Sequence, residues 1–411
     1  MSNKFKFYKL EELCSAIIDC PHSTPIWKNK GIYIIRNYNL KNTIIDNNNL
    51  SYVDEETYLS RIKRAKPEED DIIISREAPM GTVGIVPNDF ICCLGQRLVL
   101  LKVNKEKCSP KYLFNALRSN YVQTQIQLIN RTGSIVSNLN IPMLKDIKIP
   151  LIKQEKEIGI LLNNIDKKIQ LNNKINTELE AMAKTIYDYW FLQFEFPNEE
   201  GKPYKSSGGK MVYNQELKRE IPEGWEVKSL CDCMDVLYGF PLSTKKFSET
   251  NGKNIIRIRD IPTNDTSIKT TEKVDDKYLS KFKDLLIGMD GNFHINFWCN
   301  NGDIINQRIT RIRENANNIS ILQVFFEILP YIKAIEKNVA RSTVAHLSDK
   351  DIKSLRILCP INKDKIYVKL NNILEKICIN RLENQELVSL RDFLLPLLMN
   401  GQVGFNDSDE K

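Results

Sequence analysis

Histidine and glycine are both scarce in this 411-residue chain, with three of the former (His22, His294, His346) and 17 of the latter. No GxxxxGK[ST] loop and no GxGxxG after a strand is present, so the usual phosphate cradles of nucleotide-binding enzymes are missing. A GxSxG elbow and an HExxH helix are absent as well. Nor does a glycine-rich loop accompany an [ND]PP[YF] segment, the pair expected of an adenine methyltransferase. The ten cysteines (Cys14, Cys20, Cys92, Cys93, Cys108, Cys231, Cys233, Cys299, Cys359, Cys378) form no CxxC pair. That spacing supports neither a disulfide framework nor a zinc site, and Cys231-Asp232-Cys233 reads more plainly as ordinary thiols than as metal ligands. Apolar runs stay below the ~18–20 residues of a membrane span. The opening MSNKFKFYKLEEL has no apolar signal core, so a cytoplasmic location is expected.

With 42% hydrophobic and 27% charged residues the composition is that of a globular protein, of two or three domains at roughly 150 residues each. A duplication organises it. Residues 162–179 (LNNIDKKIQLNNKINTEL) and 370–387 (LNNILEKICINRLENQEL) match at ten of eighteen positions with a constant offset of 208. Fainter echoes lie upstream: Ile34-Ile35-Arg36 against Ile255-Ile256-Arg257, Tyr58-Leu59-Ser60 against Tyr278-Leu279-Ser280, and Gln96-Arg97 against Gln307-Arg308. Arg131 in RTGSIVSNL likewise resembles Arg341 in RSTVAHL. Between the echoes the halves differ almost completely, as two copies of one scaffold with different variable surfaces would.

The repeated segments read as long helices. Residues 153–190 hold no proline and only Gly159, and apolar residues recur at steps of three and four from Ile158 through Leu162, Ile165 and Ile169. The second copy runs from Ile366 through Leu370, Ile373 and Ile377. This is the pattern of a helix-pairing seam, although two helices packed separately on their own domains would show it too. Both seams turn polar mid-helix, at Asn172 and Asn176 and at Asn380 and Asn384. Polar seam residues fix register at a cost in stability. Antiparallel pairing would set Asn172 against Asn384 and Asn176 against Asn380; parallel pairing would also bring asparagines together.

The remainder is mixed. GIYII, DDIIIS, TVGIV and RLVLLKV in the first half, and NIIRIRDI, GDIINQRITRIR and QVFFEIL in the second, read as strands between turn residues. Short helices are expected near KYLFNALRSN and VFFEILPYIKAIEK. The expected division is a first α+β domain over 1–152, a helix over 153–192, a connector over 193–226, a second domain over 227–361, a helix over 362–404 and a tail over 405–411.

The net charge of +7 is uneven, with +6 over residues 1–152 and +4 over 227–360. Two basic lobes on a spacer suit a bipartite nucleic-acid reader. Arginine pairs with guanine and glutamine with adenine, so Gln96, Arg97, Gln307 and Arg308 are candidate readers, unless their recurrence marks shared scaffold. Arg36, Arg76, Arg131, Arg257, Arg259, Arg311 and Arg341 lie near expected strand ends or loops, and Lys245 and Lys246 are candidate phosphate clamps. Each is also readable as a solvated cation or an ion pair within its domain.

The variable–helix–variable–helix order, together with YWFLQFEFPNEEGKPYKSSGGKMVYNQELKREIPEGWEV over 189–227, LNIPMLKDIKIPLIKQEKEI and the terminal LLPLLMNGQV, resembles the specificity subunit of a Type I restriction–modification system. The resemblance implies an α+β fold with a pseudo-twofold internal repeat. In it two tandem target-recognition domains are separated by an antiparallel pair of long coiled-coil helices. It implies double-stranded DNA as ligand, each domain reading half of an asymmetric, interrupted site. Its partners would be two methyltransferase subunits and two restriction/translocase subunits. No catalytic residue, metal or cofactor is implied in this chain, with S-adenosylmethionine, ATP and Mg on the partners. Two departures bear on the second helix: SLRILCPINKD lacks the Pro–Leu pattern of DIKIPLIKQEK, and Arg391 stands at an apolar seam position.

A helix rises 1.5 Å per residue, so helix length is expected to set the gap between the two half-sites. Inserting one heptad in both helices adds roughly 10 Å, about three base pairs. Methylation sequencing should then find the gap lengthened accordingly; an unchanged gap would refute the ruler.

Overall fold

The computed structural model describes residues 5–45, 50–77, 79–132, 138–315, 318–339, 346–361 and 363–405. The chain forms two compact units, residues 1–171 with 386–411 and residues 172–385. The division falls inside both long helices, Glu155–Tyr187 and Lys363–Met399, each of which contributes to both units.

In the first unit, the isoleucine run of DDIIIS becomes the strand Ile72–Ser75, buried along its whole length. Such runs suit strands covered on both faces. It sits at the centre of a five-stranded sheet ordered Cys14–Asp19, Leu98–Val103, Ile72–Ser75, Val83–Ile85 and Thr43–Ile44, antiparallel except for the last pairing. A smaller sheet sets Ile32–Ile35 antiparallel to Ser51–Val53 and parallel to Cys92–Leu94. Ile72, Ile74 and Leu101 pack with Leu113 and Leu117 of the helix Pro110–Arg118. The same core takes in Ile158 and Leu162 from the first long helix and Leu398 and Met399 from the second.

The second unit repeats this plan. Met234–Tyr238, Ile309–Glu314, Asp284–Gly288 and Ile295–Trp298 form an antiparallel sheet in the corresponding order. Lys253–Ile256 runs parallel to Ile304–Ile305, as Ile32–Ile35 does to Cys92–Leu94. Each plan opens with a strand and a four-residue helix, Lys6–Lys9 with Leu10–Leu13 and Glu226–Ser229 with Leu230–Cys233. Each opening strand pairs with the strand that leads into a long helix, Lys148–Leu151 or Arg356–Cys359. The duplication seen in the helices therefore extends through both lobes. QVFFEIL, read both as a strand and as the start of a helix over VFFEILPYIKAIEK, lies within the helix Ile321–Val339, so the strand reading is corrected and the helix reading holds. Ile321, Val324, Ile328 and Ile332 are all buried at helical spacing, and a short apolar run does not by itself separate a buried helix from a buried strand. The connector carries a hairpin, Met211–Asn214 against Arg219–Pro222. Phe196 stacks there on Tyr204 and Trp225, with centroids 4.6 and 4.9 Å apart.

The long helices run antiparallel where they meet. In the second unit Asn172 Nδ2 donates to Asn384 Oδ1 (2.9 Å) and to Glu383 Oε2 (2.7 Å). Asn380 Nδ2 donates to Asn176 Oδ1 (2.8 Å), and Asn384 Nδ2 to Asn173 Oδ1 (2.8 Å). Pairing of buried amides removes the penalty of leaving them unsatisfied. In the first unit Asp166, 2% exposed at its side chain, accepts from Arg118 Nη1 (2.6 Å) and Arg391 Nη1 (2.9 Å). Arg391 thus has a carboxylate waiting on the facing helix, and the second helix continues unbroken to Met399. Among the described residues no helix is long and apolar enough to cross a membrane, and no group of His, Cys, Asp or Glu is placed to hold a metal ion.

Gly159 marks a close approach of the first long helix to the backbone at Lys111 and Tyr112. A Cβ there would lie 2.6 Å from Tyr112 N and 3.1 Å from Lys111 C, both main-chain atoms. Alanine gains about 1 kcal/mol of helix propensity, but overpacking against backbone costs roughly 1–3 kcal/mol. Gly159→Ala is expected to lower the Tm of the full chain in thermal unfolding. A Tm at or above the parent value would show that the contact is not limiting.

Candidate nucleic-acid interface

Arg36 follows the strand Ile32–Ile35 and caps a single 3-10 turn, Asn37–Asn39. Its backbone N–H donates to Asn39 Oδ1 (2.9 Å). Its guanidinium carbon lies 4.6 Å from the Trp27 ring centroid and 4.7 Å from that of Tyr38, and Nη1 donates to Tyr38 Oη (3.2 Å). These are cation–π distances. No carboxylate pairs with Arg36 among the described residues. Thr24, Trp27, Arg36, Asn37, Gln96 and Arg97 line one concavity, so three of the sequence candidates meet there.

The loop that brings Trp27 to this place is tied down from below. Gln96 Nε2 donates to His22 O and to Thr24 Oγ1 (3.1 Å). Arg61 Nη1 donates to Leu94 O (2.8 Å), and Nη2 to Ser23 O. Burial pulls the Arg61 pKa below the usual guanidinium range, and carbonyl acceptors satisfy its donors. Gly95, just ahead of Gln96, lets the strand approach closely: a Cβ would lie 2.8 Å from Ile35 O. Gln96 is therefore a positioning residue for the loop. Trp27, Tyr38 and Arg61 escaped the sequence reading. The available signal was an isolated tryptophan in a polar loop, PHSTPIWKNKG, between proline and glycine.

The other candidates divide by what they touch. Arg76, 12% exposed at its side chain, pairs with Asp19 (2.7 Å) and donates to Leu139 O (3.1 Å) and Asn138 Oδ1 (3.2 Å). Arg257 grips Asp260 through Nε (2.8 Å) and Nη2 (3.0 Å), with Ser267 Oγ at 2.9 Å. Arg311 is buried, its Nη2 donating to Asp235 Oδ2 (2.8 Å), while Nε and Nη1 have no partner among the described residues. These three arginines are committed within their lobes.

Arg97 and Arg308 hold matching places after equivalent strands. Arg97 Nε lies 3.1 Å from Glu77, and Arg308 Nε 3.4 Å from Asp290, which also binds His346 Nδ1 (2.6 Å). Both arginines are more than half exposed at their side chains, a geometry in which ion pairs are weak. Lys245, Lys246, Arg259 and Gln307 are exposed, and Lys246 lies 3.8 Å from Glu272. Arg131 ends the helix Asn120–Thr132, its side chain outside the described residues, and Arg341 lies wholly outside them.

A family model described as Type I restriction modification DNA specificity domain matches residues 2–181 and 222–389. The chain is similar to the Type I restriction enzyme MjaIX specificity subunit of Methanocaldococcus jannaschii, 25% identical over 81% of this chain and 77% of the relative. It is also similar to the HindI specificity subunit of Haemophilus influenzae, 23% identical over 82% of this chain and 87% of the relative. The fold resembles the crystal structure of a Type I restriction–modification S subunit from M. genitalium, with TM-score 0.58, 14% identity and 97% of each chain covered.

The Arg257–Asp260 grip is expected to matter for stability. Removing one partner of a buried ion pair strands the other, at roughly 3–5 kcal/mol. Arg257→Ala should therefore lower the Tm clearly, whereas Arg36→Ala, which leaves no carboxylate behind, should lower it little. Equal shifts in calorimetry would contradict this division.

Proposed function

The chain belongs to the Type I restriction–modification DNA specificity family, and from that premise we propose that its lobes read the two halves of a bipartite, asymmetric site in double-stranded DNA. As a specificity subunit it is the non-catalytic member of the system, the one that selects DNA. In our reading the target-recognition domains span 1–152 and 227–361, and the paired helices of 153–192 and 362–404 are the spacer. The observation that carries this reading is one scaffold built twice with different exposed chemistry at matching places. Trp27, Arg36 and Tyr38 form the group in the first lobe; exposed Lys246 and Arg259 stand in the second, where Arg257 is tied to Asp260.

Exposed Arg97, Lys245, Lys246, Arg259, Gln307 and Arg308 supply cationic or amide groups suited to phosphates and base edges. Asn172, Asn176, Asn380 and Asn384 hold the register of the spacer. Methylation of adenine and ATP-dependent restriction are assigned to two methyltransferase and two restriction/translocase partners, which bind S-adenosylmethionine, ATP and Mg. The lobes supply DNA selection to that assembly.

Phosphate neutralisation makes such binding steeply dependent on salt. Filter binding of the full chain with its methyltransferase partner should show affinity falling by roughly 10³-fold or more between 50 and 200 mM salt, if about six phosphates are contacted. Sequencing of methylated DNA should return a two-part motif. Salt-independent binding, or methylation without a motif, would overturn the reading in favour of a scaffold that does not touch DNA.

A further inference from the structure

Arg36 and Arg257 occupy the same place in the repeated fold. Each follows a strand that runs parallel to a shorter one, and each caps a single 3-10 turn whose third residue, Asn39 or Asp260, accepts from the cap N–H. The residues around them correspond as well. Trp27 precedes Lys28, which bridges to Tyr52, and Lys246 precedes Phe247, which pairs with Thr270. Tyr38 and Arg259 are the second residues of their turns.

The chemistry of the two places is opposite. Asp260 takes two donors of Arg257 and neutralises it, and Ser267 takes a third contact. At Arg36 the third residue of the turn is the neutral Asn39, and the guanidinium carbon lies over the rings of Trp27 and Tyr38. Apart from Nη1 on Tyr38 Oη, its donors have no protein partner among the described residues. Trp27 is 41% and Tyr38 51% exposed, and the neighbouring Ile26 is 72% exposed, so the group stands at the surface of its lobe. Rings that hold a guanidinium leave its in-plane N–H groups available, and a pre-organised fork loses less rotamer freedom on binding. Arg97, the other arginine of the concavity, already faces Glu77.

We propose that Arg36, held against Trp27 and Tyr38, is a specificity-determining residue that reads a guanine in the half-site of the first lobe, and that the second lobe makes no such contact through Arg257. Two parallel donors match the O6 and N7 acceptors of guanine in the major groove. The inference rests on the proposed DNA-reading role of the lobes.

The test uses the full chain assembled with its methyltransferase partner in a methylation-free host, followed by sequencing of methylated bases. Arg36→Ala should relax one guanine position in one half-site by ~5- to 150-fold, leaving the other half-site unchanged. Competition binding with a duplex carrying 7-deazaguanine at that position covers a variant that methylates nothing. The parent complex should lose affinity for this duplex, while Arg36→Met, which carries no donor for N7, should not discriminate. An unchanged motif with Arg36→Ala, or equal sensitivity of parent and Arg36→Met to 7-deazaguanine, overturns the assignment to Arg36 alone. A parent complex that yields no motif overturns the DNA-reading role itself.

Discussion

Four asparagines in a helix seam, three of them buried and Asn384 half-buried, impose the constraint on which the rest of this structure depends. An amide withdrawn from water without a partner is costly, so Asn172, Asn176, Asn380 and Asn384 tolerate few alignments of the two helices. In the alignment found, Asn172 meets Asn384 and Asn176 meets Asn380, with Asn173 and Glu383 completing the set. Sliding either helix by four residues would keep only one asparagine pair, Asn172 with Asn380 or Asn176 with Asn384, and leave the other two amides without their partners. Apolar contacts alone hold helices together without choosing among registers so sharply. The Arg118–Asp166–Arg391 group adds a second such restriction in the other unit.

A fixed scaffold permits its loops to diverge. The sheet order, the parallel strand pairing and the capped 3-10 turn recur in both lobes. Their cores are filled by isoleucine and leucine runs of similar length, Ile72–Ile74 and Leu285–Ile287. What differs is exposed. Replacing Asn39 by an aspartate at the matching turn, as Asp260 does, converts an available arginine into an internal ion pair without altering the backbone. One residue thereby changes the surface chemistry of a lobe, because a carboxylate within hydrogen-bond reach competes with any outside partner for the same donors.

The candidates divide according to this competition. Arg76, Arg257 and Arg311 were selected in the sequence by position near strand ends, and each turns toward an acid of its own lobe. Arg36 was selected on the same ground and has none. For Arg257 the acid is local, Asp260 three positions on where Arg36 has Asn39, but for the other two nothing in the linear order announces it: Asp19 is 57 residues from Arg76, and Asp235 is 76 from Arg311. Gln96 illustrates a related limit. Its residue type suits adenine, yet its amide holds the carbonyl of His22 and the hydroxyl of Thr24, both more than 70 positions away.

The amino-acid order alone determined the duplication, the two long helices and their polar seam positions, because helical periodicity and repeated asparagines are local, one-dimensional signals. It also carried the resemblance to a family, which rests on contiguous motifs. Helix direction, the choice between the strand and helix readings of QVFFEIL, and the partner of Arg391 were decided only by tertiary packing. So was the availability of each arginine, since a guanidinium binds whichever carboxylate or ring the fold brings within about 3–5 Å of it. For Arg76 and Arg311 that neighbour is set by long-range contacts, which no local pattern encodes; the Asp260 that holds Arg257 is the local exception.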